Sequence, residues 1–500
     1  MNRNFRIVAL SLALLLLLFG QTTAGGKSIV ILHTNDMHAG FVPHEAFWVK
    51  ESPKPLVGGM KELCAVVDSI RKAEPVTLLL DAGDVMTGNP ITEREYRGAM
   101  GGALFEMMNR IGYDVWSPGN HDFDVSQTNL RRLSAIASFP TVSANLVDPQ
   151  GNFLFDNKPY LLLERGGIRI GVIGIMSQEL YSLVNQRNLV GVRVLSPAET
   201  AQKYIDELRP KTDLLVALTH QGAGEDSMLA ASVKGLNVIV GGHSHTRLKK
   251  PMVVNGVIIV QAGSNCENLG VLTLSIEEGR VARHDGRLIQ LWANHQKQTN
   301  AVSSFVDSLQ AEIERDYSEV IGTLAADWVR RDAQTAIGSY ITEAQRKAAR
   351  AEVAFTNNYG IRKDAPAGPL TKKDLFEILP FRNILTTFQL SGKDLRAVLL
   401  YYITAGSKIQ ITGISSRWKK NPNGSIDLVN VVVQGKPLDE ERMYICAASD
   451  FFVGEAKRYL GVEITQPVFL EETVFEAVEK AVREEKVIQP GIPYRIEQGD

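Results

Sequence analysis

Ser28-Ile29-Val30-Ile31-Leu32-His33-Thr34-Asn35-Asp36-Met37-His38 is an apolar, β-branched run that stops abruptly in a polar cluster. Such a run reads as a buried strand whose carboxyl end delivers polar side chains to one place. The same pattern recurs downstream. Val76–Leu80 runs into Asp81-Ala82-Gly83-Asp84, Leu214–Leu218 into Thr219-His220-Gln221, and Val238–Val240 into Gly241-Gly242-His243. Ile168–Ile175 reads as a further strand and Thr141–Ala144 as a short one. Helical stretches lie between them, at about Gly59–Lys72, Gly101–Ile111 and Pro197–Leu208. Strands alternating with helices imply a layered α/β core. Polar residues at the carboxyl ends of its strands are where open α/β sheets place their ligands.

Outward from this core, the 500-residue chain is too long for one hydrophobic core and implies at least two domains. Residues 27–293 form the expected first domain, 294–318 a polar linker with a helix, and 319–500 a second α/β unit. That unit has a helix near Ala333–Arg350, a strand at Glu352–Thr356 and a helix near Thr371–Ile378. The first 24 residues differ from the rest. A basic start at Arg3 and Arg6, the apolar run Val8–Phe19 and small residues before Ala24 read as a signal peptide. The apolar run is too short to span a bilayer, so the mature chain is expected to be periplasmic or secreted, with no stable membrane anchor. The formal net charge of −2 gives no bulk attraction to nucleic acid. Cys64, Cys266 and Cys446 lie far apart without zinc-type spacing and read as buried free thiols.

Five of the nine histidines, His38, His121, His220, His243 and His245, fall beside Gly, Asp or Asn at expected strand ends. His33, His44, His284 and His295 lack that context and receive no role. Asp36 and His38 are two apart, as are His243 and His245, and residues at i and i+2 of an extended segment face the same way. With Asp84 and Asn120 they make a mixed nitrogen and oxygen donor set without thiolates. That set suits zinc, manganese, cobalt or iron better than magnesium or calcium. Two such cations sharing a carboxylate suit phosphate ester hydrolysis by activated water.

These blocks, together with Gly119-Asn120-His121-Asp122-Phe123-Asp124 and Gly241-Gly242-His243-Ser244-His245, resemble the calcineurin-like metallophosphoesterases, and in order and spacing their 5′-nucleotidase branch. The resemblance implies a four-layer α/β/β/α metallophosphoesterase domain followed by a smaller α/β substrate-binding domain. It implies two divalent ions, one on Asp36, His38 and His245, the other on Asn120, His220 and His243, with Asp84 bridging. The last position is often Gln or Asn in the branch and is His245 here. His121 and Asp124 become a catalytic pair; the bland alternative for Asp124 is a cap on the following helix.

In the second domain, Asn357-Asn358-Tyr359-Gly360-Ile361-Arg362 resembles the branch's substrate loop. Arg362 is placed on a substrate oxyanion, Arg331 at the position of a second arginine, and Asn357 as a polar contact. Phe381 and Phe451 match a pair of aromatics that sandwich a base. One departure stands out. The branch often has Gly-Gly-Asp after the second aromatic, and this chain reads Val453-Gly454-Glu455. The expected substrate is a small phosphate ester, foremost a nucleotide. A cyclic nucleotide, a nucleotide sugar, a sulfur anion as in thiosulfohydrolase-like members, and a non-catalytic binding protein are the alternatives.

Overall fold

A computed structural model describes residues 26–46, 48–154, 158–293, 299–331 and 333–499. The expected signal peptide and the linker residues 294–298 lie outside the described residues.

The opening run forms strand Lys27–Thr34 in the middle of a five-stranded sheet. It pairs in parallel with Thr77–Asp81 and antiparallel with Asn268–Glu277. A second sheet, of six strands, has Ile168–Met176, Leu214–His220 and Val238–Gly241 at its centre, all parallel. Strand alternation explains how the sheets stack. Ile29, Ile31, Leu78 and Leu80 meet Ile170, Val172, Val216 and Leu218 in one core between the sheets. Their alternates Val30, Leu32 and Leu79 turn outward onto Leu63 and Val67 of helix Met60–Ala73 and Met108 of helix Gly102–Ile111. On the other side, Ile173, Ile175 and Ala217 pack under helices Pro197–Leu208 and Ala223–Ser232. The order is helix, sheet, sheet, helix. Each Val, Leu or Ile side chain, fully buried, contributes roughly 1.5–3 kcal/mol.

One expectation changes. Thr141–Ala144 is not a strand; it makes only isolated bridges, Trp116 to Thr141 and Val142 to Lys158. The hairpin Asn268–Glu277 and Arg280–Gln290, which closes one edge of the first sheet, escaped the reading of the sequence. The linker helix, Ser303–Tyr317, belongs to the first core through Val306 and Ile313 and is tied by Arg94 to Glu312. Cys64, Cys266 and Cys446 are buried and free.

The second unit holds a five-stranded sheet in the order Ile409–Thr412, Val353–Asn357, Met443–Ser449, Ile384–Ser391, Val468–Thr473. Helix Ala336–Ala348, capped by Thr335, packs against this sheet, and it shares a second core with helix Lys372–Ile378, which has a capping box from Thr371 and Asp374. The carboxyl end of Val353–Asn357 delivers Asn357, Tyr359 and Arg362 to a cleft of about 1230 Å³ that also takes in the strand ends of the first unit. Among the described residues no helix is long and apolar enough to cross a membrane.

Candidate metal centre and substrate cleft

The strand ends converge as two donor groups. Asp36, His38 and His245 form one and Asp84, His220 and His243 the other; within each group the ligand atoms lie within 4.8 Å of one another. Nε2 of His38 and Nε2 of His245 are 2.9 Å apart. His38 directs its Nδ1 toward the carbonyls of Met86 and Thr87, and His220 its Nδ1 toward the carbonyl of Ala82 at 2.6 Å. With hydrogens on those nitrogens, the Nε2 lone pairs face inward, the arrangement a cation needs. Asn120 Oδ1 lies 3.2 Å from His220 Nε2 and 3.0 Å from His243 Nδ1. Asp84 Oδ2 is 3.2 Å from His220 Nε2 and 4.0 Å from His38 Nε2, so it reaches both groups. Each group has donors that could hold a divalent ion.

The backbone is strained to make this fit. Asp36, His38, Asp84, His243 and His245 all have positive φ, from 46° to 77°. Such conformations cost of order 1–3 kcal/mol each for non-glycine residues and persist where the surroundings impose them. Electrostatics point the same way. Burial alone would lower the His220 basicity, yet the Asp84 and Asp36 carboxylates carry it up to about 10, so the pocket calls for positive charge. Burial, then neighbouring His245, holds His38 well below the ordinary range.

Several further residues keep these donors in place. Asn35 donates to Asp36 Oδ2 at 2.6 Å and to the Gly263 carbonyl at 2.7 Å. The Asp122 carboxylate accepts from the backbone N–H groups of Asp84, Val85, Met86 and Gly119. Burial, then the Asp84 charge, push this carboxyl up to about 7 against the pull of those N–H groups. Both residues stand inside the quoted blocks; their signal is a polar side chain in a segment too buried for solvent to satisfy it. Gly119 has a steric duty. A Cβ there would lie 2.3 Å from Asp84 Oδ1 and 2.7 Å from His220 Cε1. Gly119→Ala is therefore expected to lower bound metal, measured by elemental analysis of the purified protein; full metal content would refute this steric argument.

His121 and Asp124 meet. His121 Nδ1 is 2.8 Å from Asp124 Oδ2, which also accepts from Thr87 Oγ1 at 2.7 Å. Burial opposes a charge on His121, and the Asp124 and Asp84 carboxylates outweigh it, raising the pKa. The helix after Asp124 is capped by Ser126 instead. The His121 ring lies 5.5 Å from that of Phe381, stacked at 30°, and the Arg362 guanidinium sits 5.7 Å over the same Phe381 ring. Phe381, Phe451, Asn357 and Arg362 all line the cleft with the metal groups. Arg331 does not; it is exposed, and its neighbour Arg330 lines the cleft instead, with Nε and backbone N–H on Asp364. Glu455 is also absent from the lining, where Arg458 and Tyr459 appear. Phe452 is core, stacked between Phe355 and Tyr459.

Known proteins share this organisation. Residues 29–247 match the calcineurin-like phosphoesterase model, and residues 320–460 the 5′-nucleotidase C-terminal domain. A 5′-nucleotidase of Vibrio vulnificus is 30% identical over 87% of this chain and 88% of its own. Protein UshA of Escherichia coli K12 is 28% identical, over 85% of this chain and 84% of its own. The crystal structure of a 5′-nucleotidase precursor from Thermus thermophilus superposes with a TM-score of 0.79 at 28% identity, covering 94% of this chain and 99% of that one. Matched over both domains and carrying the metal-donor groups at the domain cleft, the chain belongs to the 5′-nucleotidase family and is a metal-dependent phosphoester hydrolase.

Proposed function

We propose that the chain is an exported 5′-nucleotidase-like enzyme that hydrolyses the phosphate ester of nucleotides. The observation that carries this is one cleft bringing together two donor groups joined by Asp84, the His121–Asp124 pair, Arg362 and two aromatics. Asp36, His38 and His245 would hold one divalent ion, and Asn120, His220 and His243 the other; zinc, manganese, cobalt or iron suits these donors. Ions bound there supply positive charge for the phosphoryl oxygens and a nucleophile at neutral pH.

The protein's own groups do the rest. Arg362 faces the metal groups from the second domain and binds a phosphoryl oxygen with its planar fork. Asp124 fixes the His121 tautomer and favours its cation. The other edge of the ring can then neutralise developing charge and give a proton to the leaving oxygen. Phe381 and Phe451 offer ring faces to a base. Export rests on the basic and apolar start of the sequence.

The test is turnover with defined metal content. Removing metal with a chelator should abolish hydrolysis of nucleoside monophosphates, and adding back manganese, cobalt or zinc should restore it. A fully loaded protein that cleaves neither these nor nitrophenyl phosphate would overturn the proposal. Because Glu455 does not line the cleft, a screen of phosphorylated metabolites decides the natural substrate.

A further inference from the structure

One short turn of the first domain touches both halves of the cleft. Asn185 caps the 3₁₀ turn Gln186–Leu189, its Oδ1 accepting from Arg187 N–H. Its Nδ2 donates across the domain boundary to Asp450 Oδ2 at 2.7 Å. Arg187 Nη1 lies 3.1 Å from the same oxygen. The other oxygen of Asp450 accepts from the backbone N–H groups of Phe451 and Ile384, at 2.9 and 3.0 Å. Asp450 is a buried carboxylate, 7% exposed, and it is the residue directly before the aromatic Phe451. Further along the turn, Asn188 Nδ2 donates to the carbonyls of Phe123 and Asp124, at 3.0 and 2.8 Å. The same turn therefore holds the loop of the catalytic pair from one end and the loop of the aromatic platform from the other.

We propose that the Asn185–Leu189 turn sets the aromatic platform against the catalytic pair: Asn185 and Arg187 are positioning residues for Phe451, acting through Asp450, and Asn188 is a positioning residue for Asp124. The physical reason is the burial of Asp450. One of its oxygens keeps its backbone partners, but the other is satisfied only while Asn185 and Arg187 face it, and a buried carboxylate oxygen left without a partner is disfavoured. The platform is thus held at the cleft only when the turn is in register. The turn is itself pinned to the backbone that carries Asp124. A planar base resting on Phe451 then favours the arrangement in which His121 and Asp124 are aligned, while a substrate without a ring gains nothing from it.

The inference rests on the proposed nucleotide reading, and the test separates the two. Wild type, the Asn185→Ala/Arg187→Ala double variant, Asn188→Ala and the isosteric Asn188→Asp are compared on a nucleoside monophosphate and on glycerol phosphate. Arg187 is half exposed, so the double variant is expected to fold, as thermal melting will report. Its kcat/KM on the nucleotide should fall about tenfold or more, and that on glycerol phosphate by less than about twofold. Both Asn188 variants should lose kcat on both substrates, with smaller change in KM. A wild type that prefers the nucleotide and a double variant that keeps the whole preference overturn the inference alone. Equal losses on both substrates in the double variant, or unchanged kcat in both Asn188 variants, also overturn it. A wild type that cleaves glycerol phosphate as well as the nucleotide overturns the nucleotide reading, and the inference with it.

Discussion

Alanine in place of His121 is expected to lower kcat on a nucleoside monophosphate by about 10²- to 10⁴-fold, the usual yield of a positioned acid. Metal content should stay unchanged. The geometry separates the two outcomes. His121 gives its Nδ1 to Asp124 and its backbone N–H to Asp84 Oδ1 at 2.7 Å. Only the backbone touches a metal-group carboxylate, and alanine keeps it. The ring also stacks on Phe381, so KM will move as well, and the reading must come from kcat at saturation. Leaving-group dependence identifies the step. If the imidazolium hands a proton to the departing oxygen, nitrophenyl phosphate, whose leaving group needs none, should lose much less than a nucleotide. Equal losses would assign His121 to charge stabilisation alone. Loss of a metal ion from His121→Ala would sink the role itself, because the residue would then be a ligand.

Why the metal groups were legible and the substrate side less so follows from where each residue stands. Asp36, Asp84, His220 and His243 stand at or just past the ends of strands that are buried throughout, apart from the exposed start Lys27-Ser28, and a run of Val, Ile and Leu leaves little doubt about the element. The polar group at its end is then fixed in place by the sheet. Strand Arg280–Gln290 escaped for the opposite reason. It is an edge strand with Arg280, Arg283, His284, Asp285 and Arg287 along it, mostly exposed, and so carries no apolar period. Thr141–Ala144 has the composition of a strand, but its neighbours pair elsewhere, and tertiary context decides β-structure more than propensity does. Arg330 and Arg331 differ by one position in an irregular segment. Neither a helical nor a strand period says which of them turns into the cleft. Asn188 was invisible for a further reason: its partners are backbone carbonyls 64 and 65 residues away, which only the folded chain brings near.

The second large effect is expected at Asp122, whose side chain reaches the candidate ligands only through backbone N–H groups. Asp122→Asn should destabilise the protein by about 3 kcal/mol and weaken metal binding, although the change is isosteric. Above about pH 7, where Asp122 is ionised and the comparison is to be made, it is all acceptor. Oδ2 takes the N–H groups of Asp84 and Gly119, at 3.0 and 2.8 Å, and Oδ1 those of Val85 and Met86, at 3.0 and 3.1 Å. Asparagine offers one oxygen and one NH₂. Whichever way the amide turns, two buried backbone donors face another donor. Each orphaned donor costs about 1–3 kcal/mol. The damage falls on the ligands because these N–H groups belong to two loops. One carries Asp84 at φ 57°, after Gly83 at φ 90°; the other carries Gly119 and Asn120. A Cβ on Gly83 would sit 2.4 Å from the Gly119 nitrogen, so the loops touch, and Asp122 is the clamp that holds them in contact. Denaturant unfolding of the metal-free protein measures the first effect and metal titration the second. An asparagine variant within about 0.5 kcal/mol of wild type, the ordinary range for a surface substitution, would mean that the loops hold Asp84 without the clamp. If stability falls and metal affinity does not, the clamp serves folding only, and the strained φ of Asp84 is imposed by the sheet beneath it.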